Sequence, residues 1–193
     1  MARELLESER TMLPIRRRLR TARGFTLVEL AVVVVIVGIL AVVAVVGYRK
    51  LINSSKVTEA QNVVQSIRVA QEAFRAETGV YADIGTSTYC PNTAPNGKVI
   101  TQWDPNCNGG TTTWARLPVH VDGAVHFGYK TWSGTTTPVS AGAATWVDWS
   151  KAPANRPWFI VYAASDLDPA EPLLTEAVGS NLFNQVVTRN EGY

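Results

Sequence analysis

The 193-residue sequence has little of several residue types on which common protein classes depend. Its two cysteines are too few for a disulfide-dense scaffold or a four-cysteine zinc site. Charged residues make up 18% of the chain and the net charge is +2, which argues against a disordered chain and against a broadly basic nucleic-acid-binding domain. Nucleophile-elbow, Walker and dinucleotide-binding glycine motifs are also absent, so we expect no enzymatic activity and no cofactor.

Candidate metal ligands are equally sparse. The spacing around His120 and His126, the two histidines, resembles no zinc site, and we expect both on the surface or in strands. Asp166 and Asp168 are weak calcium candidates, because the third oxygen ligand and the glycine of a calcium loop do not follow them. We predict a solvated acidic turn there and keep calcium binding as the alternative.

The charge that is present is unevenly distributed. Residues 1–24 carry seven arginines and three glutamates, a net charge of +4, whereas residues 25–193 carry a net charge of −2. A cationic segment directly before an apolar span is typical of the cytoplasmic flank of a membrane helix. A basic tail that binds nucleic acid is the alternative, and the immediately following apolar run makes it the weaker one.

Residues 30–48 form that run, with 19 uncharged residues of which nine are valine. A helix of this length spans about 28 Å, close to the thickness of the hydrocarbon core of a bilayer. A buried core helix is usually shorter, and a cleaved secretory signal lacks its small-residue cleavage site here. The run therefore predicts a membrane-spanning helix.

A helical pattern continues beyond the run. Apolar residues recur at three- and four-residue steps, which indicates an amphipathic helix; they are Ala60, Val63, Val64, Ile67, Ala70, Ala73 and Phe74. No proline interrupts residues 25–80, and Gly79 is a plausible stop. We predict one helix over residues 25–78, apolar in its first half and amphipathic in its second.

The body, residues 79–193, is typical of β-structure with long loops. It holds all six tryptophans and nine of the ten prolines. We predict strands over residues 124–132, 145–149, 158–163 and 183–188, in an antiparallel sheet that the amphipathic helix covers on one face. The predicted class is α+β. We expect some tryptophans in its core and others at subunit contacts, with surface adhesion as an alternative role.

Cys90 and Cys107 enclose sixteen residues rich in proline, asparagine and glycine. An extracytoplasmic location favours a disulfide between them, which closes a weakly specified loop. Two free thiols are the alternative.

Residues 23–30 read Arg-Gly-Phe-Thr-Leu-Val-Glu-Leu. With the basic leader before them and the apolar helix after them, they resemble the processing site of type IV pilins and of the pseudopilins of type II secretion. The resemblance implies that a prepilin peptidase cuts between Gly24 and Phe25 and that the new amine of Phe25 is methylated. It is detailed over residues 16–81 and only architectural beyond them.

The resemblance also implies an assembly role for Glu29, whose carboxylate would pair with the Phe25 amine of a neighbouring subunit. The alternative is that Glu29 only marks the N-terminus of its own helix, where the helix dipole favours an anion. Family helices often have a proline at the position of Val46 here, so a kink at that point is not predicted.

The implied domains are a cleaved leader (1–24), a transmembrane and filament-core helix (25–48), its amphipathic continuation (49–78) and a β-rich head (79–193). The implied function is that of a structural subunit of a type IV pilus, and a type II secretion pseudopilin is the alternative. Its expected partners are copies of itself in a helical homopolymer, other pilins, the prepilin peptidase and an inner-membrane assembly platform; nucleic acid is not expected. The chain would cross the inner membrane once, with its leader cytoplasmic and its head periplasmic, before it joins an extracellular pilus.

Overall fold

The computed structural model describes residues 24–91, 97–107, 113–136, 144–151, 155–167 and 173–191. Most of the predicted leader and Asp168 lie outside these residues. The chain divides into two compact units, Met1–Val42 and Val43–Tyr193. The described part of the first unit consists of residues 24–26 and the beginning of a helix.

That helix, α1, covers Leu27–Thr78 and is a single element of 52 residues. It begins two residues later than predicted and ends at the predicted residue. Gly79 follows in the left-handed region, with a φ of 83°, and its N–H donates to the carbonyl of Arg75 (2.8 Å). Glycine adopts this conformation without a steric penalty, which explains why the helix stops there.

The second unit contains a five-stranded antiparallel sheet with the strand order β1-β4-β5-β6-β7. Its strands are β1 (Gly85–Cys90), β4 (Gly128–Gly134), β5 (Trp158–Ser165), β6 (Thr175–Ser180) and β7 (Val187–Arg189). Two short strands, β2 (Thr101–Gln102) and β3 (Ala124–Val125), pair as a separate ribbon. The α+β class and the antiparallel sheet are therefore confirmed.

The strand predictions are correct in part. The predicted strand over 124–132 is broken at His126 and Phe127, where the chain passes from β3 to β4. The prediction for 145–149 is wrong, because those residues form a turn that leads into a short 3-10 helix, Trp149–Lys151. Only the end of the prediction for 183–188 is a strand, since residues 181–185 form the turn between β6 and β7.

Both faces of the sheet are covered. The successive residues of β5 alternate between two apolar clusters, because side chains of a strand point to opposite faces. One cluster includes the α1 residues Ala60, Val64 and Ile67 with the β5 residues Phe159, Val161 and Ala163. The other contains Trp132, Trp158, Ile160 and Tyr162, with Trp146, Trp149 and Phe183 packed against it. Of the predicted helix stripe, Ala73 is exposed and the other residues are buried or half-buried.

One buried polar side chain joins α1 to the chain that follows it. Gln71 is fully buried, and its amide nitrogen donates to the carbonyl of Ala82 (2.9 Å) and to Thr131 Oγ1 (3.0 Å). Its amide oxygen accepts the Ala82 N–H (2.9 Å). These bonds satisfy both ends of the amide, as burial of a polar group requires, and they fix the path from the helix to β1.

The predicted disulfide between Cys90 and Cys107 is present. It links the end of β1 to a turn that follows β2. Nearby, Lys56 of α1 donates to the carbonyl of Gly97 (2.9 Å), and the Gly97 N–H donates to the carbonyl of Asp166 at the end of β5 (2.7 Å). The loop is therefore held by one covalent bond and by hydrogen bonds to two elements.

Candidate functional site

The predicted site residues Gly24, Phe25 and Glu29 lie together at the start of α1. Gly24 and Phe25 are not helical, and both are exposed. Phe25 is 85% exposed, and a Cβ built on Gly24 would meet no atom within 4 Å. The peptide bond between these two residues is therefore accessible in this chain. The fold leaves room for a side chain at residue 24, so it does not itself require a glycine there.

Thr26 and Glu29 form a reciprocal cap on the first turn of α1. The Glu29 carboxylate accepts the Thr26 N–H (2.9 Å) and the Thr26 hydroxyl (2.8 Å). The Glu29 N–H donates to Thr26 Oγ1 (3.2 Å), and the Thr26 carbonyl accepts the Leu30 N–H (3.2 Å). This is a capping box, in which a threonine at the N-cap and a glutamate three residues later satisfy N–H groups that have no partner within the helix.

The capping box supports the alternative in which Glu29 stabilises the N-terminus of its own helix. The carboxylate is fully exposed and lies at the positive end of the helix dipole, where an anion is favoured. Sequence reasoning missed this cap, although a Thr-x-x-Glu spacing ahead of an apolar run is its signal. Both hydrogen bonds from Thr26 go to the same oxygen of the Glu29 carboxylate. Because the Glu29 side chain is exposed, its carboxylate is still reachable for a further positive group.

The apolar part of α1 has no partner within the described residues. All residues from Leu27 to Ile52 are exposed, and they include valine, leucine and isoleucine side chains that are each more than half exposed. The helix is the only described element long and apolar enough to cross a membrane, and none of its most apolar window is buried. A helix that is apolar all round requires lipid or other apolar helices around it.

The remaining sequence candidates lie elsewhere. His120 is exposed and pairs with Asp122 (2.8 Å), whereas Glu59 of α1 accepts the His126 N–H (2.7 Å) and contacts the ring Nδ1 (2.7 Å). Asp166 follows β5 and is half-buried. Among the described residues, no group of three histidine, cysteine, aspartate or glutamate side chains is arranged to hold a metal ion. Calcium binding by Asp166 and Asp168 stays a prediction, since Asp168 lies outside the described residues.

Sequence reasoning missed the residues that tie α1 to the turn after β6. Arg68 donates to the carbonyls of Phe183 (3.0 Å) and Asn184 (3.1 Å), and burial lowers the pKa of its guanidinium. A Cβ on Gly179 would lie 2.6 Å from Val64 Cγ1, so only glycine lets the helix approach β6 this closely. Neither residue has a distinctive sequence signal, because their partners are more than a hundred positions away.

Comparison with known proteins finds similarity at the N-terminal part of the chain, where the predicted site lies. A family model described as the prokaryotic N-terminal methylation motif matches residues 19–45, which contain the helix start and most of the apolar run. Residues 19–45 are thus similar to a motif whose description names N-terminal methylation.

The chain is also similar to a particular pilin. It is 41% identical, over 61 residues, to the type IV major pilin protein PilA of Myxococcus xanthus strain DK1622. The matched segment is 32% of this chain and about 28% of the length of that relative. No solved structure matches the chain. These findings confirm the predicted resemblance to the type IV pilin family.

Proposed function

We propose that this chain is a structural subunit of a type IV pilus, which assembles from the inner membrane through α1 after its leader is removed. The observation that carries the proposal is the capped helix start followed by a mainly apolar segment of α1, residues 27–52, that is exposed all round. A membrane satisfies that surface before assembly, and the helices of neighbouring subunits satisfy it in a filament core. The role is structural rather than enzymatic.

Processing at Gly24 and Phe25 would prepare the helix for assembly. The bond between them is exposed and lies outside the helix, so a peptidase reaches it without unwinding the first turn. Cleavage creates a positive amine on Phe25, and methylation of that amine keeps its charge. The leader, with its net charge of +4, would keep the cleavage site on the cytoplasmic face of the membrane.

Glu29 would then serve assembly through the oxygen that the cap leaves reachable. An unpaired carboxylate in an apolar environment costs about 2.5–3.5 kcal/mol near a membrane centre. The Phe25 amine of an incoming subunit neutralises that charge only when it lies at the right height. Pairing would therefore set the axial register between neighbouring copies.

The chain's partners follow from these steps. They are copies of the chain in a helical homopolymer, other pilins, the prepilin peptidase and an inner-membrane assembly platform. Before assembly, residues 25–48 would span the membrane once, with residues 79–193 on the periplasmic side. The Cys90–Cys107 disulfide supports an extracytoplasmic position for that part of the chain, because disulfides persist in oxidising compartments.

Electron microscopy of surface filaments, combined with mass spectrometry of their subunits, tests the proposal. The expected result is long extracellular fibres whose subunit begins with N-methylated Phe25. Fibres confined to the periplasm, together with loss of protein secretion on deletion of the chain, would instead identify a pseudopilin. An uncleaved leader in the assembled subunit would contradict both functions.

A further inference from the structure

Two arginines line one cavity at the C-terminal end of α1. The cavity has a volume of about 500 Å³ and is lined by Arg75, Arg156, Pro157, Asn181 and Leu182; we call it the arginine cavity. Its described lining contains no carboxylate. Neither arginine makes a direct ion pair with a carboxylate among the described residues; the nearest connection is from Arg75 through the Tyr81 hydroxyl to Glu72.

The two guanidinium groups are held differently. Arg75 donates to the Tyr81 hydroxyl (2.8 Å) and its guanidinium carbon lies 4.9 Å from the centre of the Tyr81 ring, which fixes its orientation. The Tyr81 hydroxyl in turn donates to Glu72 (2.9 Å). Arg156 lines the same cavity and is exposed. One donor is thus positioned in advance and the second is free to close on an anion.

A second, negatively charged cavity lies beside residues 55–63 of α1. It is a groove of about 550 Å³ between residues 55–63 of α1 and residues 121–125, and it is lined by Glu59 and Asp122 without any lysine or arginine. Glu59 is engaged by His126. Asp122 pairs with the exposed His120 (2.8 Å), but its side chain is 92% exposed, so its carboxylate is the accessible anion of this acidic groove.

The two cavities are separated along the helix. Glu59 and Arg75 are sixteen positions apart in the sequence, which corresponds to about 24 Å of helix axis. Two copies can bring these opposite charges together in a two-fold dimer, in which each cavity contacts the opposite cavity of the other copy, or in a contact in which one copy follows another in the same orientation. The proposed function requires the second arrangement, because such a heterologous contact repeats into an open helical polymer.

We propose that the arginine cavity binds the Asp122 carboxylate of a second copy of this chain. The inference rests on the proposed function and names a contact within the assembled filament. Arginine suits the task because its planar guanidinium binds a carboxylate through two parallel hydrogen bonds. The contact links the globular parts of successive subunits and is separate from the pairing of Glu29 with Phe25.

Charge reversal in the full-length chain tests the contact. We expect Arg156→Glu and Asp122→Arg each to lower filament yield in cells about tenfold, because each places like charges against one another. The double variant with both changes should restore the yield to within about twofold of the wild type. Arg116→Glu, which reverses an exposed arginine outside both cavities, should leave the yield unchanged.

A second measurement does not depend on yield. With Arg156→Cys and Asp122→Cys in one chain, filaments should contain intermolecular disulfides that give a ladder on non-reducing gels, whereas either cysteine alone should give none. Thermal unfolding of each detergent-solubilised variant shows that it is folded. Wild-type yield from both single reversals, or a double variant that is no better than either, would overturn the contact. Absence of filaments from the wild-type chain would instead contradict the proposed function, and the inference with it.

Discussion

At the residue scale, Glu29 serves its own helix and is proposed to serve a neighbouring one. Its carboxylate accepts two hydrogen bonds from Thr26, which completes the capping box. The proposed pairing requires the negative charge itself, whereas the cap requires only an oxygen acceptor at the same place. The two roles therefore respond differently to substitution.

Glu29→Gln separates them, because glutamine also completes a capping box but carries no charge. We expect Glu29→Gln to be inserted and cleaved like the wild type while its filament yield falls at least tenfold. Thr26→Ala is the matched control, since it removes the cap at a cost of about 1 kcal/mol and keeps the charge. Immunoblotting of leader cleavage and sheared filaments measures both steps. Equal yields from Glu29→Gln and the wild type would show that the carboxylate serves the helix alone.

A second residue-scale prediction concerns Tyr129, which is fully buried and whose hydroxyl has no hydrogen-bond partner among the described residues. Tyr129→Phe should raise the free energy of unfolding by about 1 kcal/mol, because it removes an unsatisfied polar group. Tyr162→Phe is the control. The Tyr162 hydroxyl donates to Glu176, so its loss should lower the free energy of unfolding by a similar amount. Chemical denaturation of the two full-length variants measures both changes.

Tyr129 also predicts that the stability of the fold depends on pH. Burial raises the pKa of Tyr129 well above the usual value near 10. The unfolded chain therefore loses this proton first, and the stability that the raised pKa contributes is present below pH ~10 and lost as the pH rises above it. Tyr129→Phe should reduce this alkaline loss. A denaturation series from pH 8 to 11 that shows the same slope for the variant and the wild type would contradict this expectation.

At the scale of elements, the contact between α1 and β6 depends on Gly179. A methyl group there would lie 2.6 Å from Val64 Cγ1 and 2.8 Å from Arg68 Cδ, so the helix or the strand has to move. We expect Gly179→Ala to lower the free energy of unfolding by about 1–3 kcal/mol, as overpacking does. Gly123→Ala is the control, because its Cβ would meet no atom within 4 Å. Equal melting temperatures for the two variants would show that the contact is not tight in solution.

The elements also show how far the sequence predicts the fold. The helix was predicted to within two residues, because its signals are local: the apolar periodicity, the lack of proline and Gly79. The Thr26–Glu29 spacing, which marks the observed start, was missed. Strand β5 is equally clear from its β-branched and aromatic residues. Strand β6, by contrast, includes Ala177, Gly179 and Ser180, which favour no strand on their own. It forms because it lies between β5 and β7 against the helix.

The wrong strand over residues 145–149 has the opposite cause. Trp146, Val147 and Trp149 favour a strand by propensity, but they pack as a turn against the sheet face that α1 does not cover.

The candidate site was predictable as a motif, because Gly24, Phe25 and Glu29 are close in sequence. The arginine cavity was not, because Arg75 and Arg156 come together only through the fold of the sheet.

At the scale of the whole molecule, the Cys90–Cys107 bond stabilises a long connection between β1 and the rest of the body. Closure of a loop of this size contributes about 3 kcal/mol. The double variant Cys90→Ser with Cys107→Ser should lower the melting temperature by about 6–12 °C, and it leaves no free thiol. Reduction of the wild-type chain should give the same shift in a calorimetric scan. A shift from reduction but none from the double variant would show that the bond itself is not the cause.

The position of the capping box has a consequence for the order of events in biogenesis. Both of its residues lie on the C-terminal side of the predicted scissile bond, so the helix start is complete whether or not the leader is attached. The proposed processing would therefore change the charge at the chain terminus and leave the first turn of α1 as it is. In the proposed function, the precursor would enter the membrane with this first turn of α1 already formed, and cleavage would permit assembly without being needed to fold the helix start.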